Sequence, residues 1–195
     1  MSTPESNTFS SSLTTVFLDR DGVLNEKMPE GCYVTRWEDF HPLPGVPGAI
    51  RQLNLAGLRV IVVSNQRGVS LGLYSVADVA AIHARFQQLL AENGAYVDAF
   101  YFCPHAKHSC TCRKPLSGLF DQAKAEFPAI APANSVMIGD SRSDIEFGHR
   151  LGMKTVFIDG DPTLQKPGSN AARELADLTR SSLSDAVHSL LASRS

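Results

Sequence analysis

Along the chain, short runs rich in Val, Ile and Phe alternate with longer stretches whose apolar residues recur at helical spacing. The runs at 13–18, 58–63, 97–102, 135–138 and 154–158 are apolar on both faces, which is the pattern of strands covered from two sides. A weaker sixth run falls at 176–178. Between them, 46–56 carries Ile50 and Leu53 on one face and stops at Gly57, and 76–93 starts after Ser75, holds Asp78 in its first turn and stops at Gly94. Helices are also predicted at 119–127 and 145–151, the second ended by Gly152. The segment 162–170, rich in Pro, Gly and polar residues, reads as a loop before a last helix capped by Ser184. Strands and helices in this alternation predict an α/β fold: a doubly wound, mainly parallel sheet with helices on both faces.

Length and charge narrow the picture. A chain of 195 residues builds one core comfortably, so a single domain over 13–195 is expected, with 1–12 as a disordered tail. A net charge of -2 without a Lys/Arg run offers nothing to neutralise a nucleic-acid backbone. No apolar stretch approaches the ~20 residues that cross a bilayer, and the Ser/Thr-rich start lacks the basic and apolar parts of a secretory signal. A cytoplasmic monomer acting on a small molecule is the expectation. Of the four cysteines, Cys103, Cys110 and Cys112 crowd together with His105 among them, whereas Cys32 stands apart. That clustering suggests metal binding in a reducing compartment, not a disulfide framework.

In open parallel sheets the chemistry sits just beyond the carboxyl ends of the strands. The residues there are Asp19-Arg20-Asp21-Gly22-Val23-Leu24-Asn25 after the first run, Ser64-Asn65-Gln66 at the end of the second, and Gly139-Asp140-Ser141-Arg142-Ser143-Asp144 after the fourth; Arg113-Lys114-Pro115 precedes a helix. Asp19 and Asp140 would make an oxygen-only site of the kind Mg²⁺ prefers. With that ion and Lys114 cancelling charge, Asp19 is free to attack phosphorus as a nucleophile. The turn at Gly22 lets Asp21 reach the leaving oxygen as general acid and later activate water as base, which requires its pKa to sit above that of Asp19. Ser64 would hold the phosphoryl oxygens. Asp144 is placed either to cap the helix from 145 or to support the metal from behind.

The four ordered motifs Asp19-x-Asp21-Gly22, Ser64, Lys114 and Gly139-Asp140-x-x-x-Asp144 resemble those of the haloacid dehalogenase (HAD) superfamily over nearly the whole domain. The resemblance implies a phosphomonoester hydrolase in which Asp19 is the nucleophile, Asp21 the acid/base, Ser64 and Lys114 the phosphate ligands, and Asp140 a magnesium ligand beside Asp19 and the main-chain carbonyl of Asp21. A finer match, in Asp-Arg-Asp-Gly-Val-Leu-Asn, Ser-Asn-Gln and Cys-x-His with Cys-x-Cys-Arg-Lys-Pro, is similar to the subgroup of heptose bisphosphate phosphatases and histidinol-phosphatases. This implies structural Zn²⁺ on Cys103, His105, Cys110 and Cys112, a set that suits tetrahedral zinc, although His108 could compete with His105. It also implies a phosphorylated sugar as substrate, with Arg113, Asn25, Asn65, Gln66 and Arg67 at the pocket and no cap domain. Two departures remove a phosphate-binding cation: Val69-Ser70-Leu71-Gly72 follows Ser-Asn-Gln-Arg-Gly where an arginine is common, and Ser141 follows Asp140 where a lysine is common. The short interval from His105 to Cys110 is closer to the histidinol-phosphatase pattern, while Gly-Cys-Tyr-Val and the later Phe-x-Pro-Leu-Pro-Gly-Val are closer to the heptose pattern.

Overall fold

A computed structural model describes residues 12–165 and 167–193. The tail expected at 1–12 lies outside the described residues except for Ser12, whose hydroxyl donates to Asn134 Oδ1 at 3.3 Å. Six strands, Thr15–Leu18 (β1), Arg59–Asn65 (β2), Ala99–Cys103 (β3), Ser135–Gly139 (β4), Lys154–Ile158 (β5) and Leu178–Arg180 (β6), form one parallel sheet in the order β3-β2-β1-β4-β5-β6. Six α-helices cover it: Val46–Leu55 (α1), Val76–Glu92 (α2), Gly118–Glu126 (α3), Arg142–Leu151 (α4), Ser169–Leu175 (α5) and Leu183–Ala192 (α6).

Side chains alternate across a strand, and the alternation divides the helices into two layers. Val16, Leu18, Val60, Val62, Val136, Ile138, Val156 and Ile158 face the layer of α1, α2 and α6. Phe17, Ile61, Val63 and Met137 face α3 and α4, and Phe157 meets Ala172 of α5 on that same side. Both faces of the sheet are therefore dry, as the apolar runs predict.

The strand order reverses between β1 and β4, and their register pairs Leu18 with Ile138, while Leu18 pairs with Val62 of β2 on the other side. Asp19, Ser64 and Asp140 consequently leave the sheet at one end, where the crevice of such a fold opens.

The structure corrects four local readings. The sixth strand begins at Leu178, later than 176, because the Asp177 carboxylate accepts from Thr155 N and Oγ1 and from Lys154 Nζ before the chain enters the sheet. The 162–170 loop contains a 3-10 turn, Pro162–Leu164, and the start of α5, which Gly168 enters at φ +94°. α4 starts at Arg142: Ser141 is its cap, and Asp144 lies inside the first turn as the partner in a capping box. α6 is capped by Ser182, whose hydroxyl accepts from Asp185 N at 3.1 Å, whereas Ser184 lies inside the helix against Gly45.

Candidate active site

Lys114 is the centre of the site. It is buried, and its ammonium donates to Asp19 Oδ1 at 2.9 Å and to the carbonyl oxygen of Val63 at 2.5 Å, and pairs with Asp144 Oδ1 at 2.7 Å. Two hydrogen bonds and one ion pair thus enclose the ammonium. Burial alone would lower its pKa, but the Asp144 and Asp19 carboxylates outweigh that and hold it above the usual lysine range. Asp144 Oδ2 accepts from the N–H and hydroxyl of Ser141, so one carboxylate both opens α4 and anchors Lys114.

Carboxylate oxygens of Asp19, Asp140 and Asp144 lie within 4.8 Å of one another, all buried. At an effective dielectric of about 20, two such charges repel by roughly 3 kcal/mol or more. Burial first, then Asp144, Asp140 and Asp21 against the opposing pull of Lys114, push the Asp19 carboxyl up to about 7. Such a cluster calls for positive charge. The donors are all hard oxygens, which fits Mg²⁺, and the wall beside them is glycine: at Gly22, with φ +90°, a Cβ would stand 2.2 Å from Asp140 Oδ2. Only a residue without a side chain leaves Asp140 accessible there.

Asp21 points elsewhere. Its carboxylate accepts from Arg20 Nε and Nη2, from Asn25 Nδ2 at 3.0 Å and from Gln66 Nε2 at 3.1 Å. Burial would raise its pKa, yet the Arg20 charge and the bonds from Arg20, Asn25 and Gln66 bring it below the ordinary value. These contacts thus favour the carboxylate form of Asp21. The Asp21 carboxylate does not join Asp19 and Asp140 in the acidic cluster.

Three residues expected at the substrate also make hydrogen bonds within the site. Gln66, 2% exposed, donates to Ser64 Oγ at 2.7 Å as well as to Asp21, and its carbonyl accepts from Tyr74 Oη at 2.7 Å. Because Ser64 accepts that bond, its own O–H is left to donate into the pocket. Asn65 clamps the backbone of Lys114 from both sides, at 3.1 Å to its carbonyl and 3.0 Å from its N–H. Asn25 is fully buried and holds Asp21. Arg67 and Arg113 are half-buried, and one buried group on each, Nε of Arg67 and Nη1 of Arg113, has no acceptor among the described residues.

One residue lies at the site without a sequence signal: Lys27 Nζ sits 2.5 Å from Asp140 Oδ2. It falls in the irregular stretch after Asn25, where neither periodicity nor a motif marks it.

Beside this site the thiols converge as predicted. Cys103 Sγ lies 3.5 Å from Cys110 Sγ and 3.7 Å from His105 Nδ1; Cys112 Sγ lies 3.5 Å from Cys110 Sγ and 3.2 Å from His105 Nδ1. Tetrahedral zinc with bonds of about 2.0–2.3 Å needs edges of roughly 3.3–3.8 Å, so the four donors are already spaced to hold that ion. His105 supplies the nitrogen; His108, at φ +62°, stands outside the cluster.

Comparison with known proteins agrees with this geometry. Residues 111–186 match the HAD-hydrolase-like family model. The chain is 42% identical over 137 residues to the D-glycero-alpha-D-manno-heptose-1,7-bisphosphate 7-phosphatase of Mycobacterium tuberculosis, spanning 70% of this chain and 72% of that one. It is 38% identical over 155 residues to the D-glycero-beta-D-manno-heptose-1,7-bisphosphate 7-phosphatase of Pseudomonas putida, spanning 77% and 87%. The crystal structure of D,D-heptose 1,7-bisphosphate phosphatase from B. bronchiseptica, complexed with magnesium and phosphate, superposes with a TM-score of 0.80 at 28% identity and covers 92% of this chain and 99% of that one. A parallel sheet with carboxylates and a buried lysine at its switch point, and relatives of this closeness, place the chain in the family of HAD-like hydrolases. Its activity is that of a phosphatase.

Proposed function

We propose that the protein removes the 7-phosphate of D-glycero-D-manno-heptose 1,7-bisphosphate through a phospho-aspartate on Asp19. The observation that carries this reading is the buried knot of Lys114 between Asp19 and Asp144, with Asp140 beside it in one cluster. The names of the relatives supply the substrate.

Asp19 Oδ attacks phosphorus and the ester oxygen departs, taking a proton from Asp21; Asp21 as carboxylate then deprotonates water, which attacks phosphorus and restores Asp19 with release of phosphate. When bound by Asp19 and Asp140, Mg²⁺ would supply charge neutralisation at the phosphoryl oxygens. Ser64 donates its hydroxyl to one of those oxygens, a geometry that Gln66 and Tyr74 enforce. The proton that Asp21 takes from water restores the acid form it uses in the next turnover, and Arg20, Asn25 and Gln66 hold it in place throughout. Arg67 and Arg113, each with a donor that meets no acceptor among the described residues, are suited to the second phosphate of a bisphosphate. The thiol cluster fixes the loop that leads into Lys114, and three free thiols kept ready for zinc fit a reducing cytoplasm. Among the described residues no helix is long and apolar enough to cross a membrane.

The test is kcat/KM with Mg²⁺ on both anomers of the heptose bisphosphate, on histidinol phosphate and on a generic aryl phosphate. The bisphosphate should lead by about tenfold or more, and the product should be the heptose 1-phosphate by phosphorus NMR. A lead for histidinol phosphate, or loss of the 1-phosphate first, would overturn the substrate assignment.

A further inference from the structure

We propose that Tyr74 is a positioning residue for Asp21: its hydroxyl fixes the direction of the Gln66 amide, and that amide holds the Asp21 carboxylate beside Ser64. The inference rests on the reading that Asp21 is the acid and base of the reaction.

A side-chain amide has a donor end and an acceptor end, and its partners decide which way round it lies. Gln66 Nε2 donates to Ser64 Oγ at 2.7 Å and to Asp21 Oδ2 at 3.1 Å, which uses both of its N–H groups. The carbonyl end is buried and meets one donor among the described residues, Tyr74 Oη at 2.7 Å. A carboxylate can only accept, so an amide turned the other way would set its own oxygen against Asp21. Burial, against the opposing Arg20 charge, pushes the Tyr74 hydroxyl up to about 12, so it keeps its proton throughout the neutral range. That proton needs an acceptor, and Gln66 Oε1 is the one it has among the described residues.

The chain is shaped to bring this hydroxyl in. Beyond Gln66, Gly72 N donates to Val69 O and Leu73 N to Gly68 O, both at 3.0 Å, so the segment folds back over its own start. Ser75 then caps α2 in a capping box with Asp78. Between these fixed points Tyr74 is buried, whereas Leu73 and Val76 around it stay exposed. Gly68 leaves the room: a Cβ there would stand 2.1 Å from Tyr74 Cε1. The Tyr33 ring packs against Tyr74 at 6.2 Å between centroids.

Ser64 belongs to β2 and Asp21 follows β1, so one amide joins side chains from two strands at the reacting end of the sheet. Without the phenol hydroxyl the amide is free to rotate, and Asp21 loses the bond that ties it to Ser64. The damage then falls on proton transfer more than on substrate binding.

The experiment uses Tyr74→Phe, which keeps the ring against Gly68 and Tyr33 and removes only the hydroxyl. With Mg²⁺, kcat/KM on the heptose bisphosphate should fall roughly tenfold, through kcat, with KM within about twofold of wild type. A nitrophenyl phosphate departs without an acid, so its kcat/KM should fall by less than about threefold. In a Gln66→Ala background the same substitution should cost less than about twofold more. Equal losses on the two substrates would overturn the link to Asp21, and a full tenfold loss in the Gln66→Ala background would overturn the route through Gln66. Unchanged kinetics of Tyr74→Phe on both substrates would overturn the proposal as a whole. Asp21→Asn with a wild-type kcat on the heptose bisphosphate would instead overturn the acid/base assignment itself, an outcome distinct from the others.

Discussion

The two ion sites are built by opposite strategies. The thiol site takes its ligands from one short stretch of chain, from Cys103 at the end of β3 to Cys112 in the loop that follows. The carboxylate site draws on residues 19, 114, 140 and 144, which meet only once β1, β2 and β4 are in register. A local site depends on its own sequence; a distributed one depends on the whole sheet. They are joined where Cys112 comes just before Lys114 and Asn65 clips the Lys114 backbone to the tip of β2, and again where Gln66 N donates to the Cys103 carbonyl at 2.8 Å. The thiol loop thus has a job in the carboxylate site: it fixes the segment that delivers the central cation.

The largest effect that separates the two is expected from Asp19→Asn, which should lower kcat by on the order of 10⁴-fold or more. Elemental analysis should still find about one zinc per chain, and residual activity near wild type would remove Asp19 as nucleophile. Changing Cys110 and Cys112 together to Ser should empty the thiol site and cost several kcal/mol, with Tm falling roughly 10 °C at about 2–4 °C per kcal/mol for a chain of this size. Zinc content equal to wild type in that variant would rule out these ligands. Asn65→Ala tests the join: zinc should stay, while kcat/KM falls by about tenfold because Lys114 loses its backbone clamp. Should zinc leave with the asparagine, the two sites are one cooperative unit.

A last effect lies outside both sites and sets their baseline in acid. Burial, and then the Arg20 charge against a weaker opposing pull from Asp21, lower the His83 pKa to about 3, and the ring stacks on Phe100 at 4.6 Å between centroids. The unfolded chain protonates this histidine near 6.5 and the native one does not, so the folded state binds fewer protons between those values. Stability is therefore fully present above about pH 6.5 and falls by up to roughly 1.4 kcal/mol per pH unit below it. His83→Phe should flatten the dependence of Tm on pH between 6.5 and 4.5 relative to wild type. Parallel curves would show that His83 is protonated in the native state.

Much of this was legible before any coordinates. Asp19, Asp140 and Ser64 follow apolar runs, and position after a buried strand is a strong signal because the sheet forces those residues to one end. The thiols were legible because their spacing alone sets a chelating bite. What escaped depends on tertiary contacts. α5 has only seven residues, too few to show a helical period, and it begins at a glycine in a polar stretch. Gln66 and Asn65 look like pocket residues in sequence because they follow Ser64, yet their amides turn inward to Ser64, Asp21 and the Lys114 backbone. Asp144 reads as a cap or a metal support; the structure makes it a cap that also anchors a lysine 30 positions upstream in the chain. Lys27 has no local signature, since its partner Asp140 lies 113 residues away.

The position of β1 between β2 and β4 also governs when the molecule becomes competent during synthesis. The first strand leaves the ribosome early, but one of its edges stays bare until residues 135–139 emerge to pair with it. The cysteine loop is complete well before that moment. The ligands of the thiol site are thus all synthesised while the pocket next to them still lacks a wall.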